Sequence, residues 1–464
     1  MQLFQGARIR AACTAAAAIS MALLAAAPAS AADGTPTTPT ELFNQYQACS
    51  TDVNAPVYVA GRDGLIIEGI SSDTDSSVTT LTEQFQSWPL SDPTQIVTNS
   101  NAQATAGNEA TVNLTGPLAD GQSYAWQART VDANGDASAW SAPCYVTDDD
   151  TAPAAVPTVT SANYPLGQTD QGGSPIQLTL GANGVSDVGG FAYSWSDSFP
   201  VAGGAVLGDH GIPVFQDPYS EPQFFAKADT VGGSATVDLI PPSDTGYLTL
   251  YVMSLDRAFN LSRVTTYSVW LKPDAPTVTQ LSHPSTFGKP TAFEFTPNPQ
   301  IQAASPVVSY TVVDLGSQGQ TSTTVRADGA GTARLKLALD SPTGDLLHVS
   351  STSADGWVSQ YVSWSNGNLD TTPTVTSDVY TENGSSGGVG VPGTFTFAPK
   401  VNGVAGYTYT FNGSSPATVK ARGQGRDAQI SWTPSQSGWY ELTVYATTRS
   451  GIQLSPYYYS FSVN

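Results

Sequence analysis

Near the C-terminus, Tyr440, Leu442, Val444 and Ala446 alternate with Glu441, Thr443, Tyr445 and Thr447. A period of two puts one set on a buried face and the other in water, which predicts a half-buried strand. The turn Arg449-Ser450-Gly451 follows, and then a second strand from residue 457 to 463. The same device recurs three times upstream. Gly121-Gln122-Ser123-Tyr124-Ala125-Trp126 leads to Asp132-Ala133-Asn134-Gly135, and Gly246-Tyr247-Leu248-Thr249-Leu250 leads to Asp256-Arg257-Ala258-Phe259-Asn260. Gly344-Asp345-Leu346-Leu347-His348-Val349 leads to Asp355-Gly356. One hairpin written four times predicts an all-β chain of four domains.

Linkers punctuate the repeats. Asp148-Asp149-Asp150-Thr151-Ala152-Pro153, Asp274-Ala275-Pro276 and Asp370-Thr371-Thr372-Pro373 each lead into a Thr-Val-Thr strand. Proline fixes φ and removes a donor, so it suits entry to an edge strand. Short linkers of this kind limit domain swing and favour a semi-rigid array. The domains are placed at 49–147, 148–272, 273–366 and 367–464, each near the ~100 residues of a β-sandwich. Residues 33–48, opening Thr35-Pro36-Thr37-Thr38-Pro39-Thr40, read as an extended, solvated linker.

The second domain is the longest, with its excess between Gly190 and Gly233. A long loop with several aromatics is a candidate binding surface, and its candidate residues are Trp195, Asp209, His210, Asp217 and Tyr219. The competing expectation is that Trp195, Phe224 and Phe225 pack the sandwich while the rest covers an open end. The third domain has Asp345 after Gly344 where a tyrosine corner would stand, so the tyrosine's bond to the preceding loop is expected to be missing.

Residues 1–32 read as a signal peptide. Arg8 and Arg10 precede an apolar run at 11–27, and Ala29-Ser30-Ala31 supplies small residues for cleavage. Cys13 stands near the start of the apolar run instead of at its end, which argues against a lipid-anchored cysteine. No later stretch reaches eighteen apolar residues, so no membrane span is expected. Of the three cysteines, Cys49 and Cys144 would remain in an exported chain and are expected to pair. Closing a loop of about 95 residues contributes ~4–5 kcal/mol on the chain-entropy model.

Leu118, Gly121, Tyr124, Trp126 and Ala128, with Ala139-Trp140-Ser141, resemble the closing hairpin of fibronectin type III-like domains. The segment from Phe85 to Pro93, together with Cys49 and Cys144, resembles a module of bacterial secreted Ig-like arrays. The resemblance implies tandem Ig-like or fibronectin type III-like β-sandwiches, and says little about function.

Composition narrows the chemistry. With 17 basic against 38 acidic residues the net charge is −21, which disfavours nucleic acid or an anionic membrane as partner. Only 12% of residues are charged, against about 25% in an ordinary soluble domain, so Ser, Thr, Asn, Gln and Gly must cover the surface. Gly388-Val389-Gly390-Val391-Pro392-Gly393 has dinucleotide-loop spacing but feeds a strand, where that fingerprint needs a helix. Gly384-Ser385-Ser386-Gly387-Gly388 contains a nucleophile-elbow string, yet His210, His283 and His348 all precede it. Those histidines are too scattered for zinc. Asp148, Asp149 and Asp150 offer oxygen ligands for calcium at a domain junction, with a solvated charge run as the plainer reading.

These patterns point to a secreted, non-catalytic array acting as extracellular spacer, adhesion or protein-interaction module. No enzyme activity and no cofactor beyond possible calcium are expected. The partner would be an extracellular protein or a polysaccharide. A carbohydrate-binding or enzyme-accessory module is the alternative, and a hydrolase of unknown type the most distant one.

Overall fold

A computed structural model describes residues 34–62, 64–114, 118–208, 213–242, 246–282, 287–316, 319–367, 369–423 and 426–464. The signal peptide expected at 1–32 lies outside them. The contacts divide the chain into two compact units, one of residues up to 57, 62–147 and 206–214, the other of 58–61, 148–205 and 215–464. Each is a β-sandwich assembly, tandem in the second.

In the first unit, Gln47–Ala48, Pro36–Asn44, Leu65–Asp73 and Glu109–Leu114 form one sheet in that order. Val97–Thr105, Thr80–Pro89, Ser123–Val131 and Cys144–Asp148 are neighbours in the other. Residues 33–48 are therefore not a solvated linker, because Pro36–Asn44 pairs antiparallel with Leu65–Asp73. Register shifts between Thr37 and Thr40 and between Thr40 and Phe43 let this strand carry Pro39, which cannot donate to the ladder. Its last residue, Asn44, is buried and accepts a hydrogen bond from the Trp126 indole, so the first sandwich needs this strand to complete its core. Cys49 and Cys144 are disulfide-bonded with Cα atoms 5.3 Å apart.

The second unit repeats one plan three times: a three-stranded sheet faces a four- or five-stranded one. In the last repeat, Thr374–Ser377, Gly393–Ala398 and Ala428–Trp432 face Ser385–Ser386, Tyr457–Val463, Gly438–Thr448, Val404–Phe411 and Ala417–Lys420. Leu442, Val444 and Ala446 are fully buried, as their alternation requires. The glycine-rich stretch 387–392 is the connection between Ser385–Ser386 and Gly393–Ala398, both strands.

The closing hairpins share a detailed construction. Isolated bridges Val131↔Ala137, Leu255↔Leu261, Thr352↔Val358 and Thr447↔Gln453 all span six residues. Beyond the bridge, the ladder resumes slipped by one residue in the second, third and fourth repeats, and by two in the first. A slip leaves amides without their ladder acceptor, and in the first three repeats serine hydroxyls replace it. Ser262 Oγ accepts from Ser254 N and Ser359 Oγ from Ser351 N, both at 2.9 Å. The first repeat, with its double slip, uses two serines: Ser138 accepts from Thr130 N and Ser141 from Ala128 N.

The hairpin turns also share a left-handed residue four places after the first bridge partner. It is Gly135, Gly356 and Gly451 in three repeats, but Phe259, with φ of 66°, in the second. A bulky side chain at positive φ costs roughly 1–2 kcal/mol. Phe259 offsets this by packing 4.9 Å from Phe215 and 6.1 Å from Tyr219 between ring centroids.

The third repeat replaces its missing tyrosine. In the first and fourth, the Tyr124 hydroxyl accepts from Ala119 N and the Tyr440 hydroxyl donates to the Gln436 carbonyl. In the third, buried Asp345 accepts from Asp340 N and Ser341 N, while Asn366 donates to its other oxygen. The tie survives with a carboxylate in place of a phenol.

Gly356 has open space where a Cβ would stand, so Gly356→Ala should cost only the backbone term, about 1–2 kcal/mol. Phe259→Gly should relieve that term and still destabilise, through lost aromatic packing. Urea unfolding midpoints of the two variants check both signs.

Candidate functional site

The long loop of the second repeat builds a second small core. Ala192, Phe225 and Leu255 are buried together, with Phe199, Ala202, Tyr219, Phe224 and Phe259 packed around them. Tyr219 lies over Gly190, where a Cβ would come within 2.5 Å of its ring. Asp217 caps the single 3₁₀ turn Pro218–Ser220 by accepting from Tyr219 N. Trp195 packs against the main core of the repeat instead. Asp209 and His210 lie outside the described residues. Of the five candidate residues, Asp217 and Tyr219 thus sit together in local structural roles, and Trp195 stands apart.

The acidic run is also rearranged. Asp148 is buried and accepts from Gly61 N at 2.8 Å, so the run is not wholly solvated. Asp149 and Asp150 are half-buried. Asp149 meets Asp187 and Asp256, one ligand oxygen of each lying within 4.8 Å of the others. An all-oxygen set suits a hard cation, which takes six to eight such ligands. Asp256 is already engaged, however: Oδ1 accepts from Ala258 N and Asn260 N, and Oδ2 from Asn260 Nδ2. Burial pushes its carboxyl up to about 6, the Asn260 hydrogen bonds oppose that, and Asp149 adds to it. The same Asn260 amide donates to the Asp149 carbonyl at 2.7 Å. The sequence groups Asp148, Asp149 and Asp150; in the fold Asp149 also stands beside Asp187 and Asp256, which arrive from loops distant in the chain.

Two buried acids in the first repeat were not among the candidates. Glu83 is fully buried between Leu81 and Phe85 on the core face of its strand. Its Oε2 accepts from Ser71 at 2.9 Å, and Thr130 donates to that serine at 3.1 Å. Its Oε1 lies over Gly69, where a Cβ would stand 2.4 Å away, and has no hydrogen-bond partner among the described residues. Desolvation pushes the Glu83 carboxyl up to about 7. Glu68, also buried, rises to about 8, first from desolvation and then from the hydrogen bond and charge of Glu109. The period-two pattern of Leu81, Glu83 and Phe85 was the available signal for Glu83.

Nothing in these groups assembles a reaction centre. Two open depressions, about 420 and 500 Å³, are lined by Thr396, Lys420, Arg422 and Asp427 in one and by Arg326, Asp328, Thr332 and Arg334 in the other. Neither brings a nucleophile to a base. Ser386 Oγ is taken up by the Thr381 amide, and His348 stacks on Tyr361. His283 lies outside the described residues.

Glu83 makes the first repeat acid-stabilised. Its folded-state value is raised above the ordinary 4.5, so its contribution is full below that pH and is lost as pH rises through about 7. Glu83→Gln should leave stability at pH 4 nearly unchanged and raise it at pH 8 by about 2–3 kcal/mol. Chemical denaturation at pH 4, 6 and 8 measures the difference in slope.

No family model matches the chain, and no curated protein matches it. Among solved structures, it is similar to a tetra-tandem repeat from the extending region of a large adhesion protein, at 15% identity and a TM-score of 0.23, over 93% of this chain and 99% of that one. It is also similar to chicken CNTN1 FN1–FN3 domains, at 12% identity and 0.20, over 72% of this chain and 99% of that one. A third is the native conformation of E. coli alpha-2-macroglobulin, at 10% identity and 0.21, over 93% of this chain and 32% of that one. At such scores no residue role is carried over from any of them.

Proposed function

We propose that the protein is an exported, non-catalytic spacer that holds successive β-sandwiches in a fixed relation and presents their faces to an extracellular protein or polysaccharide. Export is supported by the leader composition and by the Cys49–Cys144 disulfide, a bond that persists in oxidising compartments. Among the described residues no helix is long and apolar enough to cross a membrane.

The observation that carries the spacer role is the joint between the second and third repeats. The linker residue Asp274 is buried and accepts from the Trp357 indole at 2.9 Å and from Gln360 N at 2.7 Å, both in the closing hairpin of the third repeat. Trp357 is only 2% exposed and stacks on Tyr164 of the second repeat. Gly172 leaves room for that ring, since a Cβ there would lie 2.4 Å from it. Gly173 packs on Ile301, in the short helix Pro299–Ala304 of the third repeat, where a Cβ would lie 2.9 Å from the Ile301 Cδ1. The buried residues of both repeats form one continuous cluster. The next joint follows the same logic with a hydroxyl: Thr371 accepts from Ser455 N and donates to the Pro342 carbonyl, to which Ser455 Oγ also donates.

Trp357→Ala should remove about 3–5 kcal/mol from this region. It should also broaden the small-angle scattering distance distribution and expose the chain near residues 272–276 to protease. Scattering and proteolysis identical to the parent protein would sink the spacer reading.

A further inference from the structure

The outward faces of the closing hairpins in the second, third and fourth repeats have a common composition. In the second repeat, the outward rungs between Tyr247–Leu255 and Thr265–Leu271 are Tyr247↔Trp270, Thr249↔Ser268 and Tyr251↔Thr266. In the fourth they are Trp439↔Ser462, Glu441↔Ser460 and Thr443↔Tyr458. In the third, Leu346↔Ser365 and His348↔Ser363 are joined by Tyr361, which stacks on His348 at 4.3 Å. Tyr247 and Trp270 are 47% and 48% exposed, Tyr361 46%, Tyr458 55% and Trp439 60%.

These rings are not core residues that strayed outward. Four of them occupy the wet parity of strands whose alternate residues face the core, Tyr361 stands just before its strand, and leaving a large ring in water is unfavourable. Tyr247 and Trp270 lie 4.4 Å apart, with the Tyr247 hydroxyl against Ser268 Oγ. Each face therefore offers aromatic carbon beside serine and threonine hydroxyls. Charge is nearly absent: in a chain with 38 acidic residues these rungs carry one, Glu441.

We propose that these three hairpin faces bind a neutral polysaccharide. The apolar C–H face of a sugar ring stacks on tyrosine or tryptophan, and its hydroxyls exchange water for the flanking Ser and Thr hydroxyls. A cationic partner would find most of the chain's carboxylates elsewhere and only Glu441 here. An anionic polymer would meet the repulsion of a net charge of −21 with no cation on the rungs to receive it. A single such face binds weakly. Three on one chain convert later contacts into intramolecular ones, and linked sites gain about 10²–10⁴ in avidity without new contacts. The site is distinct from the long loop of the second repeat and does not depend on the joints being stiff.

The test is retention of the full chain on amorphous cellulose, chitin and starch, with polygalacturonate as the acidic comparator. The expected result is retention on at least one neutral polymer, with release by soluble oligosaccharide of the same sugar. Trp270→Ala combined with Trp439→Ala should weaken it by about 10²-fold while the melting temperature is kept. Quenching of tryptophan fluorescence in the parent protein by the releasing oligosaccharide gives a second reading that needs no variant. Retention on polygalacturonate alone, on none of the polymers, or undiminished in the folded double variant overturns the proposal. Absence of quenching by the releasing oligosaccharide overturns it as well.

Discussion

The closing hairpin has to release its second strand from the ladder of its first, and that release governs the rest of each repeat. A slip of one residue turns every later side chain to the opposite face, so the chain must absorb it at one defined place. It does so between the six-residue bridge and the resumed ladder, where a serine hydroxyl stands in for the lost acceptor. The first repeat slips twice as far and spends two serines on it. The fourth carries Leu454 at this position, buried in its own core, and keeps only the main-chain bond to Ala446. Trp357 and Ser455, which tie the joints, lie in or just after these same turns. A change at the turn is therefore felt both inside a repeat and at its junction.

The second repeat shows how such a rule can be broken locally. Its turn places Phe259 where the other three have glycine, and the left-handed backbone is held by contacts with Phe215 and Tyr219 in the inserted loop. The loop in turn covers a patch of the sheet, Ala192 and Leu255, that would otherwise be wet. Insertion and strained turn support each other. Neither makes physical sense alone, which is why the aromatic content of the loop reads as a binding surface when only the sequence is considered.

What was legible follows from periodicity. The four hairpins, their buried and wet faces and the disulfide could be read directly, because strand alternation and cysteine pairing are local or countable signals. What was not legible depends on who meets whom across the fold. Pro36 and Pro39 suggested solvated chain, yet bulges let an edge strand carry proline, and only the partner Leu65–Asp73 reveals the strand. Asp345 looked like the loss of a tie, because the anchor for the preceding loop was read as a tyrosine's alone, whereas a buried carboxylate can accept from the same loop's amides. Asp149 gained Asp187 and Asp256 as neighbours through loop positions that no spacing encodes. Glu83 is the instructive exception, since its place between Leu81 and Phe85 already put it on the core face.

The distribution of charge separates the turns and joints from the closing-hairpin faces. Carboxylates are concentrated where chains turn or domains meet: Asp132, Asp256 and Asp328 each accept from two turn amides, and Asp274 locks a joint. At such positions an anion stabilises amides that have left the ladder, so the acidic surplus does structural service at the ends of the sandwiches. The closing-hairpin faces of the second, third and fourth repeats are left mainly to hydroxyls and rings, with Glu441 their one carboxylate. A chain built this way can be strongly acidic and still present neutral surfaces. Substituting turn acids should therefore alter stability and geometry, whereas substituting the exposed face aromatics should leave the fold in place.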